Sequence, residues 1–267
     1  MKRKLQSGFT IIELLIGLLA ASIVTYAAMS LYITQHKELI VQDQISDMQA
    51  NIRSAATVIA EAVRMAGYNV HGGMSAIETY NTNPDSIVIT YDNGKLDGVK
   101  LSHDMTQVSS DLTCQDYDIS NVQEGDELYI YDPVADAGEF FVVNRVLEAP
   151  ARLRHDTPLN RTYPEDSEVI SLSRVKFYVD QSDVDHPDLM MQNYGSNPSV
   201  FAENITDLNF RYFLTSGGVV TQTNTPSLIR MVEINLVGRT DQPDEDFAEN
   251  YRTRDFTLRV KVRNLDF

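Results

Sequence analysis

Residues 8–33 read GFTIIELLIGLLAASIVTYAAMSLYI, and Glu13 carries the one charged side chain in this stretch. A helix of about 20 apolar residues crosses the hydrocarbon core of a bilayer, so the stretch is long enough to span it. A secretory signal peptide has a shorter apolar core that ends at a cleavage site of small residues. Here the apolar run continues past the small residues at 20–22. We therefore expect a membrane-spanning helix over residues 9–33.

The charges on either side of the stretch predict its orientation. Lys2, Arg3 and Lys4 precede it, and Lys37 is the first basic residue that follows it. Basic residues beside a membrane span favour the cytoplasmic side. We expect a single-pass membrane protein with its N-terminus in the cytoplasm and residues 68–267 on the other side of the membrane.

A helical period continues after the apolar stretch. Apolar residues recur every three or four positions and so share one stripe of a helix. The stripe comprises Val41, Ile45, Met48, Ile52, Ala55, Ile59, Val63 and Ala66. The first proline is Pro84, and Gly67 is typical of the position after a helix C-terminus. We expect one helix in segment 9–67, from about Phe9 to about Ala66 and roughly 85 Å long, whose first half spans a membrane and whose second half is amphipathic.

From residue 68 onward the pattern favours strands. Alternating β-branched, aromatic and polar residues predict strands at 86–91, 127–131, 139–147, 169–179, 208–214, 229–237 and 256–263. Turn signals at 92–94 (Asp-Asn-Gly) and 216–218 (Ser-Gly-Gly) should each close a hairpin. We expect loops at 180–198 and 240–250. Short links favour antiparallel sheet packed on the helix, so we predict an α+β fold with one globular domain over residues 68–267.

The residues around Glu13 resemble a known processing motif. Gly8-Phe9-Thr10-Ile11-Ile12-Glu13, after a short basic leader and before a long apolar helix, resembles the motif of type IV pilin-like proteins. The resemblance implies that a prepilin peptidase removes residues 1–8 by cleavage between Gly8 and Phe9, and that Phe9 is then N-methylated. It also implies that Glu13 pairs with the amino terminus of a neighbouring subunit in a filament, since a buried charge is tolerated when it has a partner.

Later segments resemble one subclass of these proteins. Residues 55–68, 200–212 and 229–236 resemble PilW-type minor pilins, and GspJ-type pseudopilins share this layout. The resemblance implies a minor pilin that helps to initiate pilus assembly and lies near the tip. Its implied partners are the prepilin peptidase, the inner-membrane platform protein, other minor pilins and the major pilin, with the lipid bilayer as its surroundings before assembly. The resemblance also implies a single-pass protein of the inner membrane that later joins a pilus at the cell surface, with residues 68–267 in the periplasm or outside the cell. Residues 92–164 carry no resemblance.

Two other functions remain open from the sequence. One is a GspJ-like minor pseudopilin of a type II secretion system, which uses the same helix in a different machine. The other is a pilus-borne adhesin or binding module whose β-domain recognises a surface ligand. The sequence contains no clustered catalytic motif, no paired cysteine and no ligand-spaced histidine pair, so we expect neither an enzyme nor a cofactor.

The acidic residues of the chain bear on which partners it can bind. It has 38 acidic and 22 basic residues, a net charge of −16, and such a chain repels phosphate backbones, so we expect no nucleic acid. Two segments concentrate carboxylates, which are the ligands that calcium prefers. They contain Asp180, Asp183, Asp185 and Asp188 in the first, and Asp241, Asp244, Glu245 and Asp246 in the second. Neither follows the EF-hand spacing, and solvated acidic loops are commoner than calcium sites, so we expect no metal and keep calcium as the alternative.

Overall fold

The computed structural model describes residues 10–71, 74–244, 247 and 250–265. Within them the chain forms one long helix, α1 (Ile11–Met65), a short 3-10 helix (Pro226–Leu228) and fourteen strands. In chain order the strands are β1 (Ile77–Tyr80), β2 (Ser86–Asp92), β3 (Leu112–Thr113), β4 (Glu127–Asp132), β5 (Ala137–Glu148), β6 (Ala151–His155), β7 (Glu168–Ile170), β8 (Leu172–Asp180), β9 (Asp188–Asn193), β10 (Ser199–Ala202), β11 (Ile205–Leu214), β12 (Val219–Val220), β13 (Ile229–Arg239) and β14 (Thr253–Lys261).

Helix α1 is continuous, as the sequence predicts. Thr10 caps its first turn, and the helix ends where Ala66 leaves the helical conformation and Gly67 adopts a φ of +81°. A side chain at Gly67 would meet the end of the chain, because a Cβ there would lie 2.7 Å from the carbonyl oxygen of Asn264. The 55 residues of α1 span about 82 Å, which is more than twice the thickness of the hydrocarbon core of a bilayer.

Only the second half of α1 is buried in the protein. Six residues of the predicted stripe are buried together with three alanines beside them: Met48, Ile52, Ala55, Ala56, Ile59, Ala60, Ala62, Val63 and Ala66. Val41 and Ile45, at the start of the stripe, are partly exposed. Ile52 lies against Gly238 of β13, where a Cβ would come within 2.7 Å of the Ile52 Cδ1. The loss of water-exposed apolar surface along this stripe holds the helix to the domain.

Two antiparallel sheets pack on this half of the helix. The first sheet has the strand order β1-β2-β8-β9-β10, and the C-terminal sheet has the order β12-β11-β13-β14. Both share one hydrophobic core with α1, in which Phe177 and Ile234 are buried. Asp85 joins the two sheets: its N–H donates to the Leu208 carbonyl at 2.8 Å, and its carboxylate accepts the Phe210 N–H at 2.9 Å. The predicted α+β fold, a long N-terminal helix packed on antiparallel sheet, is confirmed.

The part of the chain that connects β2 to β8 folds into a third sheet. Strands β3, β6, β5, β4 and β7 are hydrogen-bonded in that order and enclose a hydrophobic core of their own. The two ends of this segment lie side by side, because β2 and β8 pair up to Asp92 and Leu172 and the Asn93 N–H donates to the Ser171 carbonyl at 3.0 Å. We call residues 93–171 the inserted module. Among the described residues, the inserted module therefore has a core separate from the one on α1, and a smaller cluster around Tyr129 and Leu172 lies apart from both.

Three local predictions are wrong. Residues 180–198 are not a continuous loop, because Leu189 and Met191 face the core and place β9 beside β8. The predicted strand 169–179 is two strands in different sheets, β7 and β8, which Ser171 separates. The turn at 92–94 closes no hairpin, because it leads from β2 into the inserted module and β2 pairs with the distant β8. The turn at 216–218 does close the predicted hairpin, between β11 and β12.

Candidate assembly helix and the surfaces around it

The first turn of α1 is held by reciprocal hydrogen bonds between Thr10 and Glu13. The Thr10 Oγ1 accepts the Glu13 backbone N–H at 3.3 Å, and the Glu13 carboxylate accepts the backbone N–H and the hydroxyl of Thr10, each at 2.9 Å. This arrangement is a capping box, which satisfies N–H groups that a helix start leaves free. The structure therefore gives the Glu13 carboxylate a partner within its own chain.

Gly8 and Phe9, the predicted cleavage and methylation residues, lie outside the described residues. Their processing stays a prediction. The capping box is compatible with it, because a cut between Gly8 and Phe9 leaves the Thr10 N–H in place. The new amino group would then lie one residue before the helix cap and four residues before Glu13.

The first half of α1 presents large apolar side chains on every side. Ile11, Leu15, Leu18, Val24 and Leu31 are each between 59 and 81% exposed. The helix is long and apolar enough to cross a membrane, and among the described residues nothing buries its most apolar part. A helix that is apolar all round belongs in lipid or in a bundle of helices. This half of α1 therefore requires surroundings other than water.

Three of the aspartates considered as calcium ligands accept hydrogen bonds from backbone N–H groups. Asp180 and Asp183 each accept the backbone N–H two residues later, at 2.9 and 3.0 Å. Asp188 accepts the N–H of Asn204 at 3.1 Å. Across the described parts of the chain, no group of three or more His, Cys, Asp or Glu side chains could hold a metal ion. The described residues therefore offer no geometry that favours the calcium alternative.

The structure brings the two acidic segments together. The side-chain amide of Asn204 donates to Asp241 at 3.2 Å, and the Arg239 guanidinium donates to the Asp185 carbonyl. Arg239 also lies over the Tyr251 ring, 4.1 Å from its centroid. A guanidinium at this junction offsets part of the negative charge of the two segments. Glu245 and Asp246 of the second segment lie outside the described residues.

A row of three charged residues crosses the outer face of the C-terminal sheet. Arg211 on β11, Glu233 on β13 and Arg259 on β14 are direct cross-strand neighbours, and we call them the arginine row. Glu233 is only 7% exposed, and its carboxylate binds the Arg211 Nη1 at 3.2 Å and the Arg259 Nε at 2.6 Å. The hydrogen bond from Arg259, with the charges of both arginines, holds the pKa of Glu233 below its usual value.

Sequence reasoning missed this row. The alternation of polar and apolar residues in β13 and β14 shows that Glu233 and Arg259 each leave the core face of a strand. It does not show which residues are neighbours, because the register between two strands depends on pairing that no single strand encodes.

Comparisons with known proteins give a distant structural likeness. No protein-family model matches the chain, and no curated protein matches it. Among solved structures, the chain is similar to a type IV-like pilin from Thermus thermophilus, with 10% identity and a TM-score of 0.39. The alignment covers 85% of this chain and 98% of that chain. A likeness this distant does not carry a function over, and the PilW-type and GspJ-type assignments stay predictions.

Proposed function

We propose that this chain is a type IV pilin-like structural subunit, which moves from a membrane into a bundle of similar helices. The observation that carries the proposal is that one unbroken helix has a bare apolar half and a half buried in the protein's own domain. A helix that served only as a membrane anchor could be joined to the globular domain by a flexible link. A continuous helix instead fixes the position of the domain relative to the apolar half, which ordered packing of subunits requires.

The energetics of the apolar half suit such a transfer. In water its exposed side chains would cost about 25 cal/mol for each Å² of apolar surface. Lipid tails and a bundle of apolar helices are similar surroundings, so exchange between them costs little. The subunit is therefore confined to one of these two environments, and packing decides between them.

Glu13 supplies selectivity in this proposal. A carboxylate in apolar surroundings is costly unless it is paired. Thr10 satisfies it locally in the separate subunit. In a filament the amino terminus of a processed neighbour would add an ion pair in the one register that brings the two charges together, so wrongly placed subunits would be penalised.

We infer further that the subunit is a minor pilin of the PilW type that acts at the start of assembly and lies near the tip. The position of the inserted module supports this role. Asp92, which directly precedes the module, donates its N–H to the carbonyl of Tyr68 just beyond the end of α1, so the module is attached at the end of the helix opposite the apolar half. A repeating shaft subunit would have to accommodate this bulk between neighbours, whereas a tip subunit would not.

The same position favours adhesion as a second candidate function. A module with its own core at the exposed end is what a pilus-borne adhesin would present. In either case the partners would be the prepilin peptidase, the platform protein, the major pilin and other minor pilins.

The deciding experiment is mass spectrometry of the N-terminus of the protein isolated from its host. We expect a chain that begins with N-methylated Phe9. A Gly8→Arg variant is the matched control and should keep its leader. A native chain that retains Met1, or that begins near Ser22, would contradict the proposal.

Filament incorporation tests the role of Glu13. Glu13→Val should still be cleaved but should enter filaments poorly, and normal incorporation would count against the pairing. Deletion of the gene distinguishes the three candidate functions. Loss of pili with secretion intact supports a minor pilin, and loss of secretion supports a GspJ-like pseudopilin. Intact pili with lost adhesion support an adhesin.

A further inference from the structure

The outer face of the C-terminal sheet carries positive charge on an acidic protein. In the arginine row, the side chains of Arg211 and Arg259 are 57% and 60% exposed. Lys261, two residues along β14, is also exposed and lies on the same face. These three cations surround one buried carboxylate, Glu233, so this part of the face has a net positive charge. Phe213 is partly buried beside them, with Arg259 at 5.3 Å from its ring centroid.

The two guanidiniums of the row are held in place before any partner binds. Each oxygen of the buried Glu233 carboxylate binds one arginine, and Arg259 also contacts Phe213. A guanidinium has five N–H donors, so each arginine keeps donors that point to the outside. Side chains that are already ordered lose less conformational entropy on binding. Arginine beside an aromatic ring is also typical of protein interfaces.

The inserted module carries the opposite charge. It contains 16 acidic and 6 basic residues, so its net charge of −10 is most of the charge of the chain. Residues 115–127, which we call the acidic segment, contribute five carboxylates and no basic residue. Asp116, Asp118 and Glu124 of this segment are exposed.

These two surfaces belong to different parts of the globular domain. The module begins beyond the end of α1, whereas the strands of the arginine row pack alongside α1. Among the described ion pairs, both arginines bind Glu233 and neither reaches the module. Two parallel copies displaced along the axis would place the module of one against the C-terminal sheet of the other. Contacts between two different patches on identical copies are open-ended, which is the symmetry of a filament.

We propose that the arginine row and Lys261 form a docking surface for the acidic segment of a second copy of this chain. The inference deepens the pilin-like part of the proposed function, because it names a contact between subunits; it does not rest on the tip position, since it needs at least two copies in one assembly. It requires only the two globular surfaces, and it does not depend on cleavage at Gly8 or on the pairing of Glu13. Complementary charge of this kind sets specificity and association rate, and it weakens with salt.

Analytical ultracentrifugation of the full chain in a non-ionic detergent tests the proposal. At low salt we expect concentration-dependent self-association that is lost at an ionic strength of about 1 M, where the screening length falls to about 3 Å. Asp116→Lys/Glu124→Lys should weaken association about tenfold or more. Asp43→Lys/Asp47→Lys is the matched control, because it makes the same change in net charge on the exposed side of α1 and should leave association unchanged.

A variant that tests the arginine row must not leave the buried Glu233 carboxylate without its arginine partners. Reversing either arginine would strand Glu233, so the row is replaced as a whole by Arg211→Gln/Glu233→Gln/Arg259→Gln, which keeps hydrogen-bonding side chains. This variant should also lose association about tenfold or more, with its fold checked by circular dichroism.

Three results would overturn the inference. They are a chain that stays monomeric at low salt, association that both variants leave intact, and a monomer that instead binds heparin through the row, which would indicate a polyanionic glycan as the partner. None of these results bears on the N-terminus: a methylated Phe9 with no self-association would remove this contact and leave the pilin-like function standing.

Discussion

Replacing Ile52 by alanine should lower the unfolding free energy of the globular domain by about 3–4 kcal/mol. Its side chain is 2% exposed and lies against Gly238. The change removes three carbon atoms, which at about 0.8 kcal/mol each amount to about 2.4 kcal/mol of lost transfer free energy. A cavity term is added, and Gly238 has no side chain that could move into the space, so we expect a cost in the middle of the usual range of about 2–5 kcal/mol.

Gly238→Ala tests the same contact from the opposite side. A Cβ at this position would lie 2.7 Å from Cδ1 and 2.8 Å from Cγ1 of Ile52, so the single change overpacks the core and should cost about 1–3 kcal/mol. In the double variant the new methyl group occupies the space that Ile52 vacates. The double variant should therefore be more stable than the two single costs predict, by about 1 kcal/mol or more.

Urea unfolding of the full-length chain in detergent, followed by near-ultraviolet circular dichroism, measures these free energies. Tyr212 is 1% exposed in the core shared by α1 and the two sheets that pack on it, so this core contributes to the signal. Ile16→Ala is the control, because this side chain is 63% exposed in the apolar half and should not affect the domain. Costs that simply add, within about 0.5 kcal/mol, would refute the reasoning.

Three further perturbations test other parts of the structure. Gly67→Ala should destabilise the domain by more than about 1 kcal/mol, because it combines a positive φ with a Cβ 2.7 Å from a carbonyl oxygen. Gly98→Ala is the control, because it has a φ of +60° but open space around it, and it should cost less. Equal costs would show that the close contact at Gly67 does not matter. Burial raises the pKa of Asp85, so its stabilising contribution is present below its ordinary value of 3.8 and is lost as pH rises through the raised value. Asp85→Asn should therefore gain stability relative to the native chain as the pH rises above 3.8 in urea unfolding, and a constant difference would exclude the effect. Thr10→Ala should weaken the first turn of α1 by about 1 kcal/mol, seen as faster amide exchange there, whereas Thr10→Ser should not.

The helix could be predicted from the sequence because its signals are local. The apolar run, the stripe that ends at Ala66 and the glycine that follows depend only on spacing along the chain, and α1 ends within one residue of the expected position. The hairpin at 216–218 was predictable for the same reason, since its glycines and its two strands are adjacent in sequence.

The inserted module could not be predicted because its position depends on distant pairing. The turn residues after Asp92 have the composition of a hairpin, yet β2 pairs with β8 rather than with the next strand. Ser171 separates two strands that the alternation joins into one, since nothing local distinguishes a strand that changes sheets from one that continues. The arginine row has the same origin, because three strands contribute one residue each.

The close approach of Asn93 to Ser171 has a consequence for how such a chain could diversify. A foreign folded unit whose own ends are about 5 Å apart, the spacing between neighbouring strands, could replace residues 93–171 without disturbing the ladder that carries it. The two sheets and α1 would then stay constant, and only the unit inserted between β2 and β8 would vary. Recombination at this one junction could change what the molecule displays while α1 and the two sheets packed on it stayed the same.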